Sequence, residues 1–148
     1  MKDDTLYSFQ FVDGAITQQM SASVLQKGSD NLSTGAYSVF LGQVRADSIN
    51  HQTVTAIDYS ANRQLSEKIM LNIMEDATTK YSLNSVVVLH SLGIIHAGEI
   101  CLLVMVTCGH RKESFDACEY IVERLKKELP VWGKEILSNE THTWKVNK

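Results

Sequence analysis

The chain has 148 residues, 44% of them apolar and 21% charged, and a formal net charge of -3. That is enough apolar material for one domain (1–148) with a real core, and it excludes intrinsic disorder. The acidic balance argues against a nucleic-acid binder. The acidic start MKDDTLYSFQF argues against a secretory leader, and no apolar run reaches the ~18 residues of a membrane span.

In chain order, Leu6 to Val12 and Gly35 to Arg45 are rich in aromatic and β-branched residues and are predicted to be extended. Ala46 to Gln52 is polar and turn-like. Thr53 to Tyr59 alternates and is predicted to form a hairpin with the strand before it. Leu65, Ile69, Ile73 and Ala77, with Met70 and Met74, recur at helical spacing and predict a helix over 63–81. Two apolar runs follow, SVVVLHSLG and EICLLVMVTC, separated by a turn-like GIIHAGE. The second has the pattern of a strand covered on both faces.

A last helix is predicted from Lys112 to Leu129, with Phe115, Cys118, Val122, Leu125 and Leu129 as its apolar stripe. Pro130, the sole proline, disfavours helical geometry at residue 129 and ends it. The tail is polar and carries Trp132 and Trp144. The expected class is α+β, a mainly antiparallel sheet with two main helices.

Chemistry-bearing residues are few. Cys108-Gly109-His110-Arg111 falls where a strand passes into the last helix. Free backbone N–H groups, the helix dipole and an Arg fork suit that junction to an anion. The plainer alternative is a surface Arg beside a histidine that caps the helix. Lys126 follows Val122 by four residues and belongs at the edge of the buried helix face. A snorkelling stem accounts for it equally well, and a role in chemistry requires desolvation or neighbouring cations such as Arg111 and Lys134. Arg45 closes its strand, where charged residues are usually solvated. Cys101, Cys108 and Cys118 lack CxxC spacing and read as reduced thiols of a cytoplasmic protein. Cys108 with His110 offers a nucleophile pair, although a cysteine inside an apolar run is usually core. The five histidines show no ligand spacing, and no glycine-rich phosphate loop is present; no metal or cofactor is expected.

Four segments in order resemble the large-subunit family of molybdopterin synthase. They are GAYSVFLGQVR (35–45), HSLGIIHAGE (90–99), GHRKESFDA (109–117) and LKKELPVWGKE (125–135), followed by Trp144. The resemblance implies an α/β-hammerhead domain that forms a central homodimer within a heterotetramer. It implies a small ubiquitin-like sulfur-carrier subunit, whose C-terminal Gly-Gly thiocarboxylate enters the active site. It also implies the substrate, cyclic pyranopterin monophosphate, which receives two sulfurs to form the molybdopterin dithiolene. By that resemblance Lys126 is the catalytic lysine, Arg45, His110 and Arg111 line the anionic substrate pocket, and Phe40 is a pocket wall.

The chain departs from the family pattern at two places. The family's Trp-Lys-Lys/Arg-Glu is here Trp132-Gly133-Lys134-Glu135, which removes a second active-site cation. Lys134 is expected either to swing in on the freer glycine backbone and act with Lys126, or to face solvent. The arginine of the family's His-Arg-Ile-Gly is Ser91.

Overall fold

A computed structural model describes residues 5–146. In chain order the elements are β1 (Leu6–Asp13), α1 (Gln18–Gly28), β2 (Ala36–Gln43), β3 (Ser48–Ile49), β4 (Gln52–Ala61), α2 (Arg63–Lys80), β5 (Leu83–His96), β6 (Ile100–Cys108), α3 (Arg111–Glu128), β7 (Val131–Leu137) and β8 (His142–Trp144). The main sheet runs β2-β6-β5-β4-β7-β8, and every pairing is antiparallel except β1 with β5. The α+β class expected from the sequence is what the chain adopts.

The long strand β5 organises the sheet. Along 85–92 it pairs with β1, and from Gly93 to His96 it pairs with β4. Gly93 sits at that handover with φ +85, a left-handed backbone that glycine adopts without a Cβ clash. β5 also extends further than its sequence suggests, since Ile94 and Ile95 continue the strand. The turn contracts to Ala97-Gly98-Glu99, where the Glu99 carboxylate accepts from the His96 N–H at 2.7 Å.

β6 is buried from Cys101 to Cys108, in keeping with a strand covered on both faces. On one face α2 and α3 bury Met70, Ile73, Met74, Ala77, Ala117, Ile121 and Leu125 against it. On the other, Ile16 and Val24 close a smaller cluster with Leu89, Leu103 and Met105. Val24 belongs to α1, a third helix that the two-helix expectation lacks. It buries only Val24 and Gly28, so its apolar periodicity is too weak to read; its start is fixed by Thr17, whose hydroxyl accepts from the Met20 N–H.

Two further expectations are corrected. β4 does not form a hairpin with β2. It turns back on the two-residue β3 through Asn50 and His51, both at positive φ, as in a tight hairpin turn, while β2 lies along β6. Phe115 and Leu65, assigned to buried stripes, are exposed, and Ser114 and Ser66 occupy the inward positions instead. α3 does end before Pro130, with Leu129 extended at ψ 132. No helix among the described residues is long and apolar enough to cross a membrane.

Candidate active site

The last turn of α3 places Lys126 beside β7 and β8. It lines three adjoining hollows of about 240, 630 and 150 Å³. The innermost is walled by Tyr59, His90, Cys101, Trp132, Gly133 and Trp144, among others. Although more than a third of Lys126 is solvent-accessible, the surrounding protein withdraws enough water to lower its pKa. The positive charge of Lys145 lowers it further, against opposing pulls from Cys101 and Glu123. Lys126 therefore releases its proton more readily than an ordinary lysine.

The inner wall is built from buried polar groups. His90 Nδ1 lies 2.8 Å from the Ser91 carbonyl oxygen, which can only accept, so Nδ1 carries the proton. Burial holds the His90 pKa below its usual value; the Ser91 bond opposes this and the Lys126 charge adds to it. The ring is thus neutral, with Nε2 left as an acceptor. Tyr59 meets His90 edge to face at 5.3 Å and donates to Cys101 Sγ at 3.7 Å. Cys101 in turn donates to the Gly42 carbonyl at 3.4 Å. Burial first, and then Cys101, raise the Tyr59 pKa, so the phenol stays protonated as a donor.

Of the residues singled out in the sequence, Arg45 is brought to Lys126, since both line the two outer hollows. Arg45 is held by Asp47 through Nε at 2.6 Å and Nη2 at 3.3 Å. An incoming anion must take its remaining donors or displace that carboxylate.

His110 and Arg111 are not brought to Lys126. They stand exposed at the start of α3, and Lys126 is fifteen residues on, about 22 Å along the helix axis at 1.5 Å per residue. The His110 ring lies 3.9 Å from Glu113 Oε1. Phe40 lines a separate hollow of about 510 Å³ between β2 and α3, with Tyr37, Phe115 and Cys118. Cys108 is fully buried, and its thiol donates to the His110 carbonyl at 3.1 Å, a core placement rather than a nucleophile's.

Lys134 does not reach the Lys126 hollows either, because β7 is held on both sides there. Gly133 pairs with Tyr59 and Lys134 with Asp58 on one side. On the other, Lys134 pairs with Trp144 and the Lys145 N–H donates to the Gly133 carbonyl at 2.8 Å. In so regular a strand alternate side chains face opposite ways. Gly133 and Glu135 line the hollows and Lys134, between them, lines none of the three. Glycine thus gives the backbone no freedom to swing. Ser91, at the other departure, is fully buried.

Sequence reasoning missed Tyr59, His90, Cys101 and Lys145. His90 and Lys145 carried a signal, since each lies next to or within a segment that resembles the family.

Comparison with known proteins shows the family and the fold. A model of the MoaE protein family matches residues 15–128. The molybdopterin synthase catalytic subunit of Thermoplasma volcanium is 33% identical over 110 residues, 74% of this chain and 80% of that protein. That of Pyrococcus abyssi is 34% identical over 112 residues, 76% and 74% of the two chains. The crystal structure of molybdopterin synthase from Staphylococcus aureus superposes with a TM-score of 0.81 at 27% identity, covering 94% of this chain and 97% of that one. A complex of subunits 1 and 2 of molybdopterin-converting factor from Helicobacter pylori shares the fold, with a TM-score of 0.79 at 19% identity over 95% and 91% of the chains. The chain belongs to the MoaE protein family, that of the catalytic subunits of molybdopterin synthase.

Proposed function

We propose that this chain transfers sulfur from the C-terminal thiocarboxylate of a small ubiquitin-like carrier to cyclic pyranopterin monophosphate, in the cytoplasm. The observation that carries the reading is the meeting of Lys126, with its lowered pKa, and Arg45 across adjoining hollows at the foot of α3. Both reactants are anions, and both need cations in a partly desolvated place. The carrier's Gly-Gly tail suits a narrow approach, because glycine adds no side chain. The Helicobacter pylori relative is itself a two-subunit complex.

In this reading the thiocarboxylate sulfur bonds to a side-chain carbon of the pterin precursor. A carbon–oxygen bond there breaks, and the departing oxygen takes a proton from Lys126. The product is a thioester between carrier and pterin. Lys126 takes a proton back from solvent, and water then attacks the thioester carbonyl, whose developing oxyanion the Lys126 ammonium stabilises while the protons of the attacking water pass to solvent. The carbon–sulfur bond to the carrier breaks, leaving a carboxylate on the carrier and a thiolate on the pterin. No oxidation is involved, and a second round completes the dithiolene.

A homodimer accounts for His110 and Arg111. A second protomer can present the start of its own α3 to the Lys126 hollows of the first, which one protomer cannot do across about 22 Å. β2 is an edge strand with exposed Tyr37, Val39 and Leu41, and exposed Phe115 lies near it. Such an apolar edge suits burial against another copy.

The test is a single-turnover assay with thiocarboxylated carrier and cyclic pyranopterin monophosphate, reading molybdopterin as its oxidised fluorescent derivative. Wild type is expected to form product, and Lys126→Ala to lose at least a hundredfold in rate with an unchanged circular-dichroism spectrum. Near-normal turnover by Lys126→Ala removes the role given to it. Gly133 favours a second reading, a relative that dimerises and binds the carrier without turnover. Carrier binding with no product from wild type selects that reading.

A further inference from the structure

We propose that Lys145, the residue after β8, is a further substrate-binding cation of this site, on the strand position that faces the side-chain-free Gly133. The inference rests on the sulfur-transfer reading for the identity of the reactants, and on geometry for the residue.

Gly133 on β7 packs closely against β4. A Cβ there would come within 3.0 Å of Ile57 Cγ2 and 3.1 Å of Tyr59 Cε1. The Tyr59 ring thus lies where a longer side chain would have to begin, and glycine lets it pack flush against β7. That ring is fixed by its edge contact with His90 and its bond to Cys101. A side chain at 133 would need Ile57 and Tyr59 to give way by a few tenths of an ångström; with glycine there, position 133 supplies no cation.

The Lys145 N–H donates to the Gly133 carbonyl at 2.8 Å, so Lys145 is the cross-strand neighbour of Gly133. It lines all three hollows that Lys126 lines, whereas Lys134 lines none of them. Lys126 and Lys145 present two ammonium groups to the same hollows. The acidic groups lining the outer hollows are Asp47, which is engaged with Arg45, and Glu135. Three cations, Arg45, Lys126 and Lys145, thus face two carboxylates in each outer hollow, and that surplus fits an incoming oxyanion, the thiocarboxylate of the carrier or the phosphate of the precursor, held by Lys126 and Lys145.

The experiment compares wild type with Lys145→Met and Lys145→Arg. Lys145 is exposed, so both variants are expected to fold as wild type does. Lys145→Met is expected to lower kcat/KM at least tenfold, and Lys145→Arg to recover most of it. If the anion held is the phosphate, the apparent KM for cyclic pyranopterin monophosphate rises; if it is the thiocarboxylate, the KM for the carrier rises.

A second readout is the pH profile. The ionisable groups facing Lys126 are Glu123 on its own helix, Tyr59 on β4, His90 on β5 and Cys101 on β6. Glu135 on β7, Lys145 after β8, and the Arg45–Asp47 pair complete the set. Removing the Lys145 charge lets the Lys126 pKa rise, so the alkaline limb of the profile moves to higher pH. A Lys145→Met protein with wild-type kcat/KM and an unmoved alkaline limb overturns the proposal.

Titration calorimetry with carrier and precursor separately keeps the two claims apart. If wild type gives no product but Lys145→Met binds either reactant at least fivefold more weakly, sulfur transfer fails and Lys145 stands. If wild type gives no product and the variant binds both reactants as well as wild type does, the Lys145 proposal also fails.

Discussion

The hydroxyls of Ser38 and Ser114 lie 2.8 Å apart in the core, joining β2 to the first turn of α3. Their direction can be worked out. Ser114 Oγ also donates to the Arg111 carbonyl at 2.9 Å, which uses its one proton, so it accepts from Ser38. Ser114→Ala therefore strands the Ser38 donor and removes a partner of the Arg111 carbonyl, a loss of about 2 kcal/mol. Ser38→Ala removes one incoming bond while Ser114 keeps its own donation, a loss of about 1 kcal/mol. In the double variant no donor is stranded, so its loss falls about 1 kcal/mol short of the sum. Urea unfolding at fixed protomer concentration reads this directly. With a slope of about 2 kcal/mol/M, midpoints drop by about 1 M for Ser114→Ala and about 0.5 M for Ser38→Ala. The double variant drops by about 1 M. Equal losses from the two single variants, or a double variant at about 1.5 M, refute the directional bond.

Two further perturbations act on the same scaffold. A Cβ at Gly35 would lie 2.3 Å from the Gly109 carbonyl oxygen, a backbone atom that cannot turn away. Gly35→Ala is thus expected to cost about 1–3 kcal/mol by the same unfolding measurement, and a neutral variant contradicts the close approach. Arg124 on α3 binds Glu128 at 2.6 and 3.0 Å and Asp76 of α2 at 2.6 Å. Its hydrogen bonds hold the Glu128 pKa below the usual carboxylate value. The stabilisation is accordingly complete above the ordinary carboxylate range and lost as pH falls through the lowered value. Glu128→Gln should flatten the acid limb of Tm against pH below the ordinary carboxylate value of 4.5; an unchanged limb argues against the coupling.

What the sequence revealed depended on how local the cause was. α3 was legible because Cys118, Val122 and Leu125 repeat at helical spacing and Pro130 stops the helix. β6 was legible because nine residues in a row suit a strand with no wet face. α1 was not, because a helix burying only Val24 and Gly28 leaves almost no periodic trace. Strand order was misread at β4 since pairing depends on which distant strand covers which face, and a short polar loop looks the same in either arrangement. The same logic governs the site. Lys126 was marked by its place on an amphipathic helix and by the resemblance, and Arg45 by the resemblance alone, since its strand end pointed to a solvated charge. Lys145 becomes visible only when β8 is laid against β7, and of the two placements left open for Lys134 the strand takes the one away from the hollows, because sequence adjacency to Gly133 means the opposite face in a strand.

α3 carries His110 and Arg111 at one end and Lys126 at the other. In the homodimer proposed above, one helix then serves two reaction centres and neither end suffices for either. A protomer disabled at Lys126 and a protomer disabled at Arg111 are each inactive as a pure dimer. Mixed together they build one doubly broken centre and one intact one. The helix thus makes the chain's two halves separable in a cross between alleles, with up to about a quarter of the activity restored when two dead copies of the same gene assemble at random.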